Sequence, residues 1–107
     1  PLIQFGTDTA TMLDQQVAAG CSVIGVDHRV NIGEAFDRFP DVAVQGNLDP
    51  VLLFADRSTL RREAARVLSA AGGRPGHIFN LGHGVQPDTD PSVLTDIVSY
   101  VHEKTKK

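Results

Sequence analysis

Short apolar runs alternate with amphipathic stretches along the chain. The apolar runs cover residues 2–5, 21–26, 42–45 and 77–81. Their nearly continuous hydrophobicity is typical of strands that are buried on both faces of a parallel sheet. Each run is followed by helical spacing or by helix-capping signals. The pattern predicts four strand-helix units in the order β-α-β-α-β-α-β-α, within one segment that covers residues 1–107.

The first two helices are bounded by capping and stop residues. The first is predicted to start at Thr7 or Asp8, whose side chains can accept hydrogen bonds from exposed amides, and to end at Gly20. The second is predicted to start at Asn31, which stands three residues before a glutamate in capping-box spacing. Pro40 prevents its continuation.

The later helices have equally clear signals. An aspartate followed by a proline, at residues 49–50 and again at 90–91, predicts a helix start because proline at the first helical position misses no hydrogen bond. Another helix is predicted over residues 58–71, before Gly72 and Gly73 end it. The last helix has one apolar stripe, formed by Leu94, Ile97, Val98 and Val101.

This order of elements leaves two architectures. Strands that alternate with helices form right-handed crossovers and a parallel sheet, either an open doubly wound sheet or part of a (βα)8 barrel. A complete barrel takes about 250 residues, so this chain would supply about half of one. The first and last strands would then be open edges, whose amides need a missing segment or another chain as a partner.

Composition narrows the function classes. With 41% apolar and 21% charged residues, the chain has the balance of a folded globular protein rather than of a disordered tract. A net charge of -3 argues against a nucleic-acid partner, because phosphate binding needs clustered lysines and arginines. No apolar stretch approaches the ~20 residues that span a bilayer, so no membrane contact is expected. A single cysteine excludes internal disulfides and makes the cytoplasm the expected location.

The residues after each predicted strand are the candidates for ligand binding, because ligands of such sheets bind at the carboxyl ends of the strands. These residues are 5–6, 27–28, 46–49 and 82–84. Glycine stands at three of the four ends, where it lets a ligand or a neighbouring backbone come close. His83, between Gly82 and Gly84, is the sharpest candidate, since its imidazole can donate to an anionic group. The alternative is a turn residue that bonds nearby backbone.

Three further polar residues have both a functional and a structural interpretation. Asp27 either faces the pocket or accepts hydrogen bonds from nearby amides. Asn47 either holds its loop or faces a ligand. Asp49 precedes a proline and is therefore expected to be a helix cap.

No metal site is expected. His77 begins a predicted strand and His83 follows its end, so at ~3.3 Å per residue they lie about 20 Å apart, too far to share an ion. Asp27 and His28 would face opposite sides of an extended chain. His102 is on the last predicted helix and Cys21 starts a strand, so only Asp27, His28, Asp49 and His83 could converge.

Two ordered motifs resemble those of the uroporphyrinogen decarboxylase family, whose fold is a (βα)8 barrel. The first is Gln-Gly-Asn-Leu-Asp-Pro at 45–50, and the second is Gly-His-Ile-Phe-Asn-Leu-Gly-His-Gly-Val at 76–85. The resemblance also takes in residues 5–6, 25–27 and 101–103, so it covers essentially the whole chain in the family's order. It implies that the four units are the C-terminal half of a TIM barrel.

The resemblance also implies an activity. Members of this family remove the carboxyl groups from the four acetate side chains of uroporphyrinogen III, which gives coproporphyrinogen III in haem and porphyrin biosynthesis, without a metal or organic cofactor. It implies that His83 lies against the substrate and can bind a propionate. The other expected substrate-binding residues are Gly82, Gly84, Asp27 and Asn47.

The sequence also departs from the family's pattern. The arginine-bearing motif and essential aspartate of the family have no counterpart here, and neither have the tyrosine and the serine or threonine of its pocket. No catalytic residue is therefore expected in this chain, and no activity is expected from it alone. His28 stands where the family usually has an aromatic residue. The expected partners are the substrate and either a second copy or the missing half of the barrel.

Two other hypotheses remain open at the level of the sequence. One is a free-standing doubly wound module that binds an anion at residues 82–84 and regulates a partner. The other is a pair of copies that close their open edges into a pseudo-barrel. Strand order separates the first of these from a barrel segment, because a barrel keeps sequential neighbours paired and a doubly wound sheet does not.

Overall fold

The computed structural model describes residues 2–5, 13–82, 84–85 and 87–106. The strands are β1 (Ile3–Phe5), β2 (Val23–Gly25), β3 (Ala43–Gln45) and β4 (His77–Ile78). The helices are α1 (Leu13–Ala18), α2 (Ile32–Arg38), α3 (Arg57–Ala71) and α4 (Pro91–Lys104), with a 3-10 helix, Pro50–Phe54, before α3. Strands and helices therefore alternate as predicted.

The four strands form one parallel sheet in the order β1-β2-β3-β4, so each strand pairs with its neighbour in the sequence. A doubly wound sheet reverses direction at a switch point, which separates one pair of consecutive strands. The predicted α/β fold of barrel type is confirmed. The doubly wound alternative is wrong for the strands that the structure describes.

The described helices pack against one face of this sheet. Ile24 and Val44 point to that face and are fully buried among residues of α1, α2 and α3. On the opposite face, Ile3, Phe5 and Ile78 are between 42% and 48% exposed. A barrel has the same arrangement, with its helices outside and the other face of its strands turned to the axis.

The covered face is packed in two adjoining hydrophobic clusters, which α3 joins. The buried members of the first are Leu13, Ile24, Val26, Ile32, Ala35, Phe36, Val44 and Ala71. Those of the second are Leu48, Leu53, Leu60, Ala64 and Ile97. One residue of the predicted stripe on α4 differs, since Val98 is 51% exposed and lines an open groove beside β4. The stripe is therefore only partly covered by the described residues.

The fourth strand is shorter than predicted, because its ladder stops at Ile78 rather than at residue 81. Gly46 has a φ of 144°, which turns the end of β3 away from regular strand geometry. Backbone pairing nevertheless resumes. The amide of Leu48 donates to the carbonyl of Asn80 at 3.0 Å, and the amide of Gly82 donates to the carbonyl of Leu48 at 2.7 Å. The other three apolar runs also extend beyond their strands.

The predicted helix caps at Asp49 and Asp90 are confirmed, and α3 has a further cap at Asp56. Asp49 and Asp90 each accept a hydrogen bond from the amide two residues later, at 3.0 and 2.9 Å. The helix after Asp49 is only the 3-10 segment, however, and α3 has its own cap. Asp56 accepts from the amide of Thr59 at 2.8 Å, so α3 starts one residue before the predicted position. Gly72 ends α3 with a φ of 67°, as predicted.

The first two helices are described to different extents. Asn31 caps α2 as predicted, because its side chain accepts from the amides of Gly33 and Glu34 at 2.9 and 3.3 Å. The predicted start of the first helix, at Thr7 or Asp8, lies outside the described residues. Within the part of the chain that is described, none of the helices combines the length and hydrophobicity that a membrane crossing requires.

Asp96 joins α4 to α3. It accepts a hydrogen bond from Arg61 at 2.7 Å and lies 3.2 Å from Arg57. The hydrogen bond from Arg61 holds the pKa of Asp96 below its ordinary value of 3.8. A carboxyl group whose pKa is lowered by folding stabilises the folded state above the unfolded pKa, and this contribution is lost as the pH falls through the folded pKa.

We predict that Asp96→Asn lowers the thermal stability of the chain at neutral pH by a few degrees, because the amide does not attract the two guanidinium groups. The difference should begin to shrink as the pH falls below the ordinary pKa of 3.8 and disappear once the pH has fallen through the lower pKa of the folded state. Thermal unfolding followed by circular dichroism measures both effects. Asp41→Asn, at an exposed turn, is the control. A difference that persists at about pH 2 would contradict the assigned cause.

Candidate functional site

The carboxyl ends of β2, β3 and β4 bring most of the predicted site residues to one edge of the sheet. We call this edge the rim, and its described residues are 27–29, 46–49, 81–82 and 84. Three connections from different strands therefore meet there, as the parallel arrangement requires.

Asp27 is a buried carboxylate that is paired with a half-exposed arginine. Its side chain is 0% exposed; one oxygen accepts from the backbone amide of Arg29 at 3.0 Å and the other from the guanidinium at 2.9 Å. Such a partner is needed because an uncompensated buried charge is costly. The side chain of Arg29 is 47% exposed, so the pair holds a cationic group at the end of β2.

The side chain of Asn47 fastens the turn after β2 to the end of β3. The residue is only 6% exposed, and its Nδ2 donates to the carbonyl of Asp27 at 2.8 Å and to the carbonyl of Val30. The peptide bond between Gly46 and Asn47 is cis. Both amide hydrogens of the side chain are thus used inside the protein, as the loop-holding interpretation requires.

Asp49 connects the end of β3 to residue 28. One of its oxygens caps the 3-10 helix, as expected. The other lies 4.0 Å from Nε2 of His28, whose side chain is 22% exposed. The imidazole of His28 is therefore held at the rim rather than extended into solvent.

Two rim glycines allow neighbouring backbones to come together. A Cβ at Gly46 would lie 2.6 Å from the carbonyl oxygen of Val26, and a Cβ at Gly82 would lie 2.5 Å from the backbone nitrogen of His28. Both distances are shorter than Cβ contacts in proteins. A strand-end glycine was expected to let either a ligand or a neighbouring backbone come close. At Gly46 and Gly82 these contacts show the approach of a neighbouring backbone.

His83, the sharpest candidate from the sequence, lies outside the described residues, and so does Gly6 after β1. The flanking glycines are described: Gly82 is buried and Gly84 is exposed. The structure therefore brings together the described candidates Asp27, Asn47, Gly82 and Gly84 but gives no position for the imidazole of His83.

His77 lies on β4 and its side chain contacts the backbone of the rim residue Gly46 and the ring of an α2 residue. Its Nε2 is 2.9 Å from the carbonyl oxygen of Gly46, and its ring packs edge-on against Phe36 at 5.9 Å. Among the described residues, no three histidine, cysteine, aspartate or glutamate side chains gather in a way that could hold a metal ion.

Sequence reasoning missed Arg29. The available signal was its spacing from Asp27, because a carboxylate can accept from the amide and side chain of a residue two positions later in a turn. A cleft of about 500 Å³ opens beside this pair, between the rim and α3. Its polar lining consists of His28, Arg29, Asn31, Asp49, Glu63 and Arg66 among others.

Sequential parallel strands, helices on one face and polar residues at the carboxyl ends of the strands are typical of a segment of a (βα)8 protein, the class in which ligands bind at this edge. Comparison with protein families gives the same class: the family described as Uroporphyrinogen decarboxylase (URO-D) matches residues 1–104. The chain belongs to the uroporphyrinogen decarboxylase family.

Individual relatives agree with the family match. Proteins named Uroporphyrinogen decarboxylase from Koribacter versatilis and Streptomyces griseus are each 50% identical to this chain, over 104 and 108 residues. One of the same name from Geotalea uraniireducens is 45% identical over 107 residues. The alignments cover 96%, 100% and 100% of this chain, but 30%, 30% and 32% of the relatives. The chain thus spans about a third of the length of the curated relatives that it matches.

We predict that Gly82→Ala destabilises the chain by about 1–3 kcal/mol, because the new methyl group would overlap the backbone of His28 and force the strand ends apart. Gly84→Ala is the matched control. No described atom lies within 4 Å of its Cβ position, so its effect should stay within about 0.5 kcal/mol. Urea unfolding measures both changes, and equal effects would contradict the proposed packing.

We also predict that Asn47→Ala destabilises the chain by about 1–3 kcal/mol, because the carbonyl groups of Asp27 and Val30 lose their donor. Asn80→Ala is the control, since the exposed side chain of Asn80 accepts only from the adjacent amide among its described contacts. Its effect should be about 0.5 kcal/mol. If Asn47→Ala were no more damaging than Asn80→Ala in urea unfolding, the fastening role would be wrong.

Proposed function

We propose that this chain forms the C-terminal half of a (βα)8 barrel that converts uroporphyrinogen III to coproporphyrinogen III. The observation that carries the proposal is the family match over residues 1–104, which includes both strand-end motifs. The meeting of these motifs at one rim supports it, because barrel enzymes bind their substrates at the carboxyl ends of the strands.

The proposed reaction is the decarboxylation of the four acetate side chains, with no metal or organic cofactor. Protein groups must then orient each carboxylate, desolvate it in part, and supply the proton that makes a pyrrole an electron sink. We assign the proton transfers to the remainder of the protein, because the family's arginine motif and aspartate have no counterpart in this sequence. This chain is proposed to bind and position the substrate.

We propose that His83, Gly82 and Gly84 contact the substrate directly. A histidine N–H donates a strong hydrogen bond to a carboxylate, such as a propionate of the tetrapyrrole. Gly84, whose Cβ position has no described atom within 4 Å, leaves room for a large ligand beside the backbone.

We propose that Asp27 and Asn47, which are buried, hold the residues that line the same pocket. Asp27 fixes the guanidinium of Arg29, which remains 47% exposed and can attract an anionic arm of the substrate. Asn47 holds the turn that carries both residues.

The remainder of a longer chain is the proposed partner of the bare sheet face. Ile3 and Phe5 on β1 and Ile78 on β4 are at least 42% exposed, which supports a covering layer. An open groove of about 880 Å³ beside α4, lined partly by Phe79 and Val98, supports the same arrangement. Association of two such proteins and a cytoplasmic location remain further expectations of the proposal.

A chimera tests the proposal. Residues 1–104 replace the matching 104-residue segment of the Koribacter versatilis relative. We predict that the chimera forms coproporphyrinogen III from uroporphyrinogen III, whereas the isolated chain forms none, because the groups for proton transfer lie elsewhere. Chromatography of the oxidised porphyrins measures the product.

A pair of histidine variants serves as the control. His83→Ala in the chimera should raise the substrate KM about tenfold, because one charge-assisted hydrogen bond is lost. His102→Ala, at an exposed position of α4, should leave the KM unchanged. A folded chimera without product, beside an active parent relative, would refute the proposed function. Turnover by the isolated chain would contradict its expected inactivity.

A further inference from the structure

His28 lies where the ends of three strands meet. It stands three residues after the end of β2, and the side chain of Asn47 donates to the carbonyl groups of Asp27 and Val30 on either side of it. Because the backbone is fastened before and after residue 28, the start of the imidazole side chain has little freedom. A ring held in this way can act as a fixed support for a neighbouring segment.

The neighbouring segment is the end of β4 with the residues up to Gly82. A Cβ at Gly82 would lie 3.0 Å from both Cβ and Nδ1 of His28. The imidazole therefore occupies the space that a side chain at residue 82 would need, and it packs against the glycine backbone. The amide of Gly82 is held from the other side by the carbonyl of Leu48 at 2.7 Å.

Asp49 contacts the opposite edge of the same ring. Its carboxylate lies 4.0 Å from Nε2 of His28, while its other oxygen is fixed by the cap of the 3-10 helix. The carboxylate is therefore oriented before it meets the imidazole. The ring is held between the end of β3, through Asp49, and the end of β4, through Gly82.

We propose that His28 is a positioning residue, which sets the place of the backbone at Gly82, directly before His83, and thereby the affinity for an anionic tetrapyrrole. The expected effect on substrate affinity rests on the proposed function. The expected effect on the position of Gly82 does not. His28 acts through the backbone at Gly82 and not on the reacting atoms. Its replacement should therefore weaken binding much more than it slows the chemical step.

The chimera described above provides the kinetic test. We expect His28→Ala to raise the KM for uroporphyrinogen about tenfold, with kcat changed by less than about twofold. His28→Gln, which can place an amide nitrogen near the position of Nε2, should recover part of the affinity. His102→Ala is the matched control and should change neither constant. A role in folding alone would lower kcat through a smaller active fraction and leave KM unchanged, and that result would overturn the inference.

A second measurement does not depend on activity. In the ¹⁵N-labelled chain, His28→Ala should shift the amide resonance of Gly82, whereas the amide of Gly72 at the end of α3 should stay in place. An unmoved Gly82 resonance would overturn the positioning role whether or not the chimera is active. A shifted Gly82 resonance in the chain together with an inactive chimera would support the positioning role of His28, while the inactivity would count against the proposed function.

Discussion

At the carboxyl ends of β2, β3 and β4, the backbones approach one another more closely than side chains would allow. Gly46 lies beside the carbonyl of Val26, and Gly82 lies beside the amide nitrogen of His28, in places where a Cβ would come within 2.6 Å or less of a backbone atom. This contact draws the turn after β2 into the space between the next two strand ends. Asn47 can then bond the turn from inside. The arrangement of the rim therefore depends on glycine at positions 46 and 82 more than on any ion pair.

The chemistry of the rim follows from this packing. Asp27 is buried by the close approach and pairs with Arg29, which places a cationic group at the surface of a chain whose net charge is -3. A polycarboxylate ligand benefits from such groups when they are fixed in advance, because little reorganisation is then needed on binding. The exposed apolar face of the sheet, with Ile3, Phe5 and Ile78, differs from the polar rim. We propose that further barrel units cover it, since this chain spans about 30% of the length of its relatives.

The sequence predicted those features that local physical chemistry controls. Alternating apolar and amphipathic segments gave the order of elements, and Asn31, Asp49 and Asp90 were identified as caps because their side chains bond amides only two or three residues away. The apolar runs overestimated the lengths of the regular strands, although single hydrogen bonds between neighbouring segments continue beyond the strand ends. Features that depend on contacts between distant segments could not be predicted as well from the sequence. The role of Gly82 depends on His28, which is remote in the sequence and adjacent only in the folded sheet.

The most direct test of the rim as the substrate side of a family barrel is a crystal structure of the chimera with coproporphyrinogen bound. A tetrapyrrole seated at the carboxyl ends of the strands, with a propionate within hydrogen-bond distance of the imidazole of His83, is the expected result. A tetrapyrrole bound at the opposite ends of the strands or on the helices, with His83 turned away from it, would contradict the assignment.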